Sequence, residues 1–214
     1  MEKKIRKRKL KGSKTQNNIH RQLEIYRKAL DLFVEKGYDA TSLSMIARRS
    51  GISKANLYYY CPSKEDLLYQ IHLNDLESRF VPIIEAAEKE SDPKKRLVHF
   101  LREFTFMCTS SPASRVLVHE VRSLKKGHRD KILSIWGKAY TLMRRSIVEM
   151  QESGEAQRLR DSFLAFLGAG MVFWIVYWWD YRRQDNAEEL ADTLVKIFLE
   201  GLETRTGKIK SKVK

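Results

Sequence analysis

A chain of 214 residues with 41 Lys and Arg against 27 Asp and Glu, a formal charge of +14 and 43% hydrophobic residues is neither a disordered tail nor a disulfide-framed miniprotein. Ten Gly and four Pro leave long uninterrupted stretches, which points to an all-helical chain of one large or two small domains. Cys61 and Cys108 show no CxxC spacing, so they suggest neither a zinc site nor a disulfide framework, and they fit a reducing cytosol.

The charge is concentrated at the ends. Residues 1–14 hold eight Lys and Arg against one Glu, and residues 206–214 add four Lys, which leaves the body between them close to neutral. A basic arm of this kind follows a phosphate backbone or enters a minor groove when it adjoins a DNA-binding unit. The alternative reading is a solvated tail that aids solubility. No secretory signal is expected, because polar residues follow the basic start where an apolar stretch is needed.

In chain order, Ile19, Leu23, Tyr26, Leu30 and Phe33 recur at helical spacing and predict a first helix from Ile19 to Lys36, capped by Gly37. Thr41 or Ser42 caps a second, short helix that runs to about Ser50, where Gly51 turns the chain. Ser53 caps a third, Lys54 to Tyr60. A fourth opens after Ser63 with Asp66 completing a capping-box variant, and Pro82 ends or kinks it. Asp92–Pro93 and Ser111–Pro112 then start helices that run to about Ser110 and Leu124. A long helix from about Arg129 to Glu152 stops near Gly154, and an apolar one spans Leu159 to Arg183. Asn186 and Glu189 box the last, which ends near Gly201. That makes nine helices, no strand and no internal repeat. Ser162 to Trp179 just reaches the length of a membrane span, and a buried helix of an oligomer reads the same way.

The stretch TSLSMIARRSGISKANLYYYCPSKEDLL, residues 41–68, carries the functional signal. Ala47, Gly51 and Leu57 have the spacing of a helix-turn-helix: a small residue at the crossing, one tolerant of positive φ in the turn, and an apolar anchor in the recognition helix. Ser42, Ser44, Lys54, Ala55, Asn56, Tyr58, Tyr59, Tyr60 and Lys64 then form the expected DNA-binding set. Among them are donors for guanine, an amide for adenine and apolar contact for a thymine methyl, with Tyr58 and Lys64 placed at phosphates. A helix-turn-helix crossing used as plain scaffolding is the alternative.

Residues 20–72 resemble the DNA-binding domain of the TetR family of bacterial transcriptional regulators, through LFVEKGY, IARRSG and LYYYCPSKEDLL. One departure is Cys61, where the family usually has phenylalanine. The resemblance implies that Tyr58 and Lys64 contact phosphates while Lys54, Asn56 and Tyr59 face bases. It also implies a homodimer built on the last two helices of each subunit. EVRSLKKGHRDKI, residues 120–132, and GMVFWIVYWW, residues 170–179, are similar to patterns of the fatty-acid and sterol degradation regulators of that family, whose effectors are acyl-CoA thioesters.

The expected organisation is therefore a basic disordered arm over 1–17, a helix-turn-helix domain over 18–64, and a ligand-binding and dimerisation domain over 65–204. Residues 65–81 are its connecting helix, and 205–214 form a basic tail. Phe104, Met107, Trp136, Tyr140, Met143, Trp174 and Trp178 are the candidates for a long apolar pocket, with Arg115, Arg122 or Lys126 near the carrier's phosphates; ordinary core packing is the alternative for each apolar one. Leu164, Gly168, Val172, Ile175 and Trp179 with Leu194 and Phe198 are expected at the dimer interface, with small Gly168 permitting close approach. A competing effector class, cationic lipophiles, needs carboxylates among the aromatics, for which Glu103, Glu120, Glu149 and Asp180 are available.

No HExxH, GxSxG, Walker or GxGxxG motif occurs, so neither a catalytic site, nor a metal, nor a cofactor is expected. The reading is a cytoplasmic repressor, nucleoid-associated when bound to DNA. A lipophilic effector such as a long-chain acyl-CoA releases it from a pseudo-palindromic operator by moving the helix around Leu76 to Ile84. The rival of another class is a membrane-surface helical protein, which binds lipid without sequence preference; no membrane partner is expected.

Overall fold

The computed structural model describes residues 2–181 and 186–202, with side chains from Asn17 onward. Ten α-helices occur among them: α1 (Glu2–Lys36), α2 (Leu43–Arg49), α3 (Lys54–Tyr60), α4 (Lys64–Asp75), α5 (Val81–Glu88), α6 (Pro93–Thr109), α7 (Ala113–Glu120), α8 (Lys126–Glu152), α9 (Asp161–Trp178) and α10 (Ala187–Leu202). No strand occurs among the described residues. The basic C-terminal tail and the expected end of the apolar helix at Arg183 lie outside them.

Two compact units form, Met1–Asp75 with Arg115–Ile132, and Leu76–Ser114 with Leu133–Lys214. The first therefore takes in α4 and the α7–α8 junction, which the sequence assigns to the second domain. Another difference is at the start: α1 begins at Glu2, where a disordered arm is expected. Lys and Arg are good helix formers, and nothing stronger than Gly12 interrupts the run.

In the first unit the caps set the elements. Ser42 Oγ accepts from the Met45 amide (3.2 Å) and Ser53 Oγ from the Asn56 amide (3.1 Å), each satisfying an orphan donor at a helix start. Of the two candidate caps for α2, Thr41 is instead buried and donates to the Gly37 carbonyl at 2.8 Å. Gly51 turns at φ +65°, a conformation that favours glycine. Around this frame Ile25, Ala29, Leu32, Phe33, Ile46, Leu57, Leu67 and Leu68 are buried as one apolar core.

The second unit is organised on α6, whose buried Leu97, Phe100, Leu101, Phe104 and Cys108 follow the helical repeat and which packs against α5, α9 and α10. A turn of π-helix, Leu76–Phe80, precedes α5. Pro82 thus opens a helix rather than ending one: it stands in the first turn of α5, where its missing N–H costs nothing. That is the tenth helix, and the sequence pattern merges it with α4.

Candidate DNA-binding face and effector cavity

In α3 the turn is oriented by Leu57, which is fully buried, so Lys54, Ala55, Asn56, Tyr58 and Tyr59 face outward. Tyr59 is the most open, 77% exposed, and its ring meets the half-buried Tyr60 edge to face at 5.4 Å. Ser42, Ser44, Lys54, Tyr58 and Lys64 line one shallow groove, so five of the nine expected DNA-binding residues share a surface. Within it the Lys64 ammonium is partly engaged. It donates to the carbonyls of Tyr38 (2.9 Å) and Asp39 (3.2 Å) and lies 4.3 Å from the centre of the Tyr38 ring. An ammonium has three donors, so Lys64 both fastens the loop after α1 and keeps a hydrogen for an anion. Cys61 is buried at the end of α3, where burial pushes its thiol up to about 11 and keeps it unreactive.

The junction of α7 and α8 supplies a contact that the sequence does not reveal. Glu65 Oε1 accepts from the Lys125 amide and from His128 Nδ1, both at 2.9 Å, and the His128 ring stacks on Tyr69 at 3.9 Å. Burial pushes the Glu65 carboxyl up, but the Lys125 amide and the His128 ring outweigh it and hold the carboxyl below the ordinary range. No spacing rule links positions so far apart in the chain.

The second unit holds a half-open cavity of about 470 Å3 among α6, α8 and α9. Phe104, Trp136, Tyr140 and Met143 line it as expected, joined by Phe80, Phe100, Phe166 and Phe173 and by the small residues Gly137, Ala139, Ala169 and Gly170. Among the described residues, Trp136 and Tyr140 bring the only side-chain N–H and O–H groups of this wall, and the Tyr140 hydroxyl donates to the Ser162 carbonyl at 3.1 Å. Among the described residues, no charged one lines it. Glu103, Glu120, Glu149 and Asp180 are all elsewhere; Glu149 pairs with the buried Arg96 at 2.7 Å.

Six expected pocket residues are not on this wall. Met107 is buried in α6 away from it, and exposed Arg115 belongs to the first unit, as do Arg122 and Lys126. Trp174 and Trp178 stand on the outer face of α9, where Trp178 is 70% exposed. The dimer assignment is corrected only in part, because Ile175 and Leu194 do line an open apolar hollow of α9 and α10 with Trp174 and Ile197. Val172 is fully buried, Gly168, Leu194 and Phe198 are buried, and Leu164, Ile175 and Trp179 are partly covered within their own unit. A Cβ on Gly168 would lie 2.7 Å from Met143 Cε and 3.0 Å from the Phe198 ring, so its close approach is to this chain rather than to a partner. The open face of α9 and α10 carries Phe163, Phe166, Leu167, Trp174, Trp178 and Ile197. A helix apolar on every side has two equivalent faces in sequence, and only packing decides between them.

The sequence profile described as bacterial regulatory proteins, tetR family, matches residues 25–71, and that of the Tetracyclin repressor-like C-terminal domain matches residues 90–202. The chain belongs to the TetR family. TetR-type proteins are DNA-binding transcriptional regulators rather than enzymes, generally ligand-responsive repressors. This TetR chain is 23% identical to HbdR of Aromatoleum sp. (strain CIB) over 190 residues, 88% of this chain and 83% of that one. It is 39% identical to the uncharacterized regulator YuxN of Bacillus subtilis (strain 168) over 66 residues, which are 31% of this chain and only 23% of YuxN. Among solved structures it is similar to the TetR family regulator PfmR of Thermus thermophilus, with TM-score 0.77, 29% identity and coverage of 84% of this chain and 99% of that one. A crystal structure of AibR in complex with isovaleryl coenzyme A and operator DNA shares the fold, with TM-score 0.76, 24% identity and coverage of 83% and 97%.

Proposed function

We propose that this TetR-family chain is a homodimeric repressor in the bacterial cytoplasm, released from a pseudo-palindromic operator by a lipophilic effector, such as a long-chain acyl-CoA, held in the cavity of α6, α8 and α9. The observation that carries this reading is the cavity wall: aromatic, apolar and without a charge among the described residues. Its volume of about 470 Å3 falls within the usual range of small-molecule sites, and an acyl chain gains there by leaving water. A cationic lipophile would bring a buried charge with no carboxylate to offset it, which disfavours the drug-sensing reading. The fold shared with an AibR structure that holds an acyl-CoA and an operator supports the same class.

On DNA, the exposed Lys54, Asn56 and Tyr59 of α3 read base edges in the major groove, and Tyr58 and Lys64 hold phosphates. The open apolar face of α9 and α10 is the surface a second copy covers, and the dimer sets the spacing of the two half-sites. α8 contributes residues to both units, which gives the effector a continuous element through which to disfavour the DNA-bound state. The test begins with an operator selected from random duplexes by the full-length protein and followed by anisotropy. Release by palmitoyl-CoA and not by a cationic dye is expected. Release by the dye alone, or failure to select any sequence, overturns the reading.

A further inference from the structure

Outside the cavity, α5 and α8 bound a second hollow of about 520 Å3, lined by Val81, Ile84, Glu85 and Glu88 on one side and by Ser134, Lys138 and Thr141 on the other. The two spaces share one residue, Gly137, which lines both. Gly137 lies inside the 27-residue α8, where glycine is unfavourable, and its φ is not in the left-handed region. No atom of a neighbouring group comes within 4 Å of where its Cβ would be, so packing does not demand a glycine. Gly168 is the contrast, since there a Cβ would collide. Gly137 thus stands, with room for a side chain, where an apolar chamber and a groove of mixed aliphatic and polar lining come to one residue.

The groove has a definite electrostatic character. Two carboxylates and one lysine line it, and Arg145, 4.0 Å from Glu88, is shared with Glu149 at 3.8 Å. A polyphosphate or a bare carboxylate entering it would meet a wall with more negative than positive charge. Hydroxyls and carboxylates instead suit an uncharged chain of amides and hydroxyls: the carboxylates accept from N–H groups, and the Thr141 hydroxyl, which donates to the Gly137 carbonyl at 2.9 Å, retains its lone pairs.

Building on the proposed effector cavity, we propose that the effector's polar arm leaves the chamber past Gly137 and lies in the groove between α5 and α8, and that this groove takes a neutral, amide-bearing arm of pantetheine type. The acyl chain fills the aromatic chamber, the arm fills the groove, and the nucleotide phosphates of coenzyme A stay outside it. Gly137 sets whether an acylated arm can be seated at all.

The test uses the full-length protein on its selected operator, with palmitoyl-CoA, palmitoyl-pantetheine and palmitate as probes. The two thioesters are expected to release DNA at concentrations within about threefold of each other, with palmitate about thirtyfold weaker, differences within the range of typical site couplings. Gly137→Leu, which blocks the passage, and Thr141→Trp, which fills the groove without reaching the chamber, should each raise the palmitoyl-CoA concentration required by about tenfold or more. The operator affinity of each variant, read in the same titration, reports whether its fold survives. A pantetheine thioester markedly weaker than the CoA thioester, or both variants responding like the wild type, overturns the inference and leaves the effector class standing. A wild-type protein insensitive to both thioesters overturns the proposed function and this inference with it.

Discussion

The two units of the chain are specified by different kinds of information. In the helix-turn-helix unit, single polar atoms decide where each element starts: Ser42, Ser53 and Ser63 each accept a backbone amide three residues on, and Gly51 turns at positive φ. Once those starts are fixed, the outward face of α3 follows from burying Leu57 alone. In the regulatory unit the helices are held by apolar packing, and α9 is apolar around its whole circumference. Its phase is then a tertiary property, chosen by Met143 and Phe198 against Gly168. Local polar signals fix which residues face outward; unbroken hydrophobicity leaves that to the rest of the fold.

The comparison can be broken most forcefully at the anchor. Leu57→Ala should destabilise the helix-turn-helix unit by about 2–5 kcal/mol and abolish operator binding, because α3 has no other fully buried side chain. Urea denaturation followed by circular dichroism measures it, and a loss below about 1 kcal/mol would mean that α3 is held otherwise. In the second unit the paired variants Gly168→Leu and Gly170→Leu separate the two faces of α9. The first should cost about 3 kcal/mol by overpacking against Met143 and Phe198, and the second should leave the unfolding midpoint of the monomer no lower, since a Cβ there meets nothing within 4 Å. Equal losses would mean that the faces are misassigned.

A titration sharpens the contrast within the first unit. His72 is buried in α4, neither ring nitrogen has a partner among the described residues, and burial pushes its pKa down from 6.5 to about 4. The folded protein keeps the ring neutral while the unfolded chain takes up a proton below pH 6.5. Stability from this group is therefore full above pH 6.5, falls as pH drops toward 4 and levels off below, a span of about 3 kcal/mol. His72→Leu should flatten that window, so the stability difference between variant and wild type should grow in favour of the variant between pH 6.5 and 4. A difference independent of pH contradicts the assignment.

Smaller effects test recognition and capping. Asn56→Ala should weaken operator binding by about 1–3 kcal/mol while sparing random duplex, and equal losses on both would remove Asn56 from the base-reading face. Ser53→Ala should cost about 1 kcal/mol of unfolding stability through the Asn56 amide it leaves unsatisfied, as thermal unfolding would show.

Much of the architecture is legible in the sequence because punctuation is local: Asp92 caps α6 through the Lys95 amide, and Asn186 caps α10 through the Glu189 amide. Where punctuation is tertiary, it is not. α9 stops at Trp178 rather than Arg183 with no Gly or Pro to end it, and the Tyr181 hydroxyl just beyond donates to the Cys108 carbonyl of α6 at 2.9 Å. The cavity divides in the same way. Phe104, Trp136, Tyr140 and Met143 are found because aromatics and methionine on α6 and α8 lie on faces that must turn inward. Phe80 and Phe173 are missed because nothing in one helix's pattern reports which rings of another it meets, whereas Phe100, one turn before Phe104 on the same buried face of α6, is legible by the same reasoning. Trp174 and Trp178 mislead for a related reason: large aromatics suit a pocket and an exposed apolar face equally.

The most direct measurement is the reciprocal titration of effector and operator by calorimetry on the full-length protein. If a lipophile in the uncharged cavity releases DNA by linkage, palmitoyl-CoA must weaken operator binding by some factor, about 5–150, and saturating operator must weaken palmitoyl-CoA binding by the same factor. Equal factors well above one are the result expected. Palmitoyl-CoA binding that is indifferent to operator would contradict the account, because the cavity would then have no part in releasing DNA.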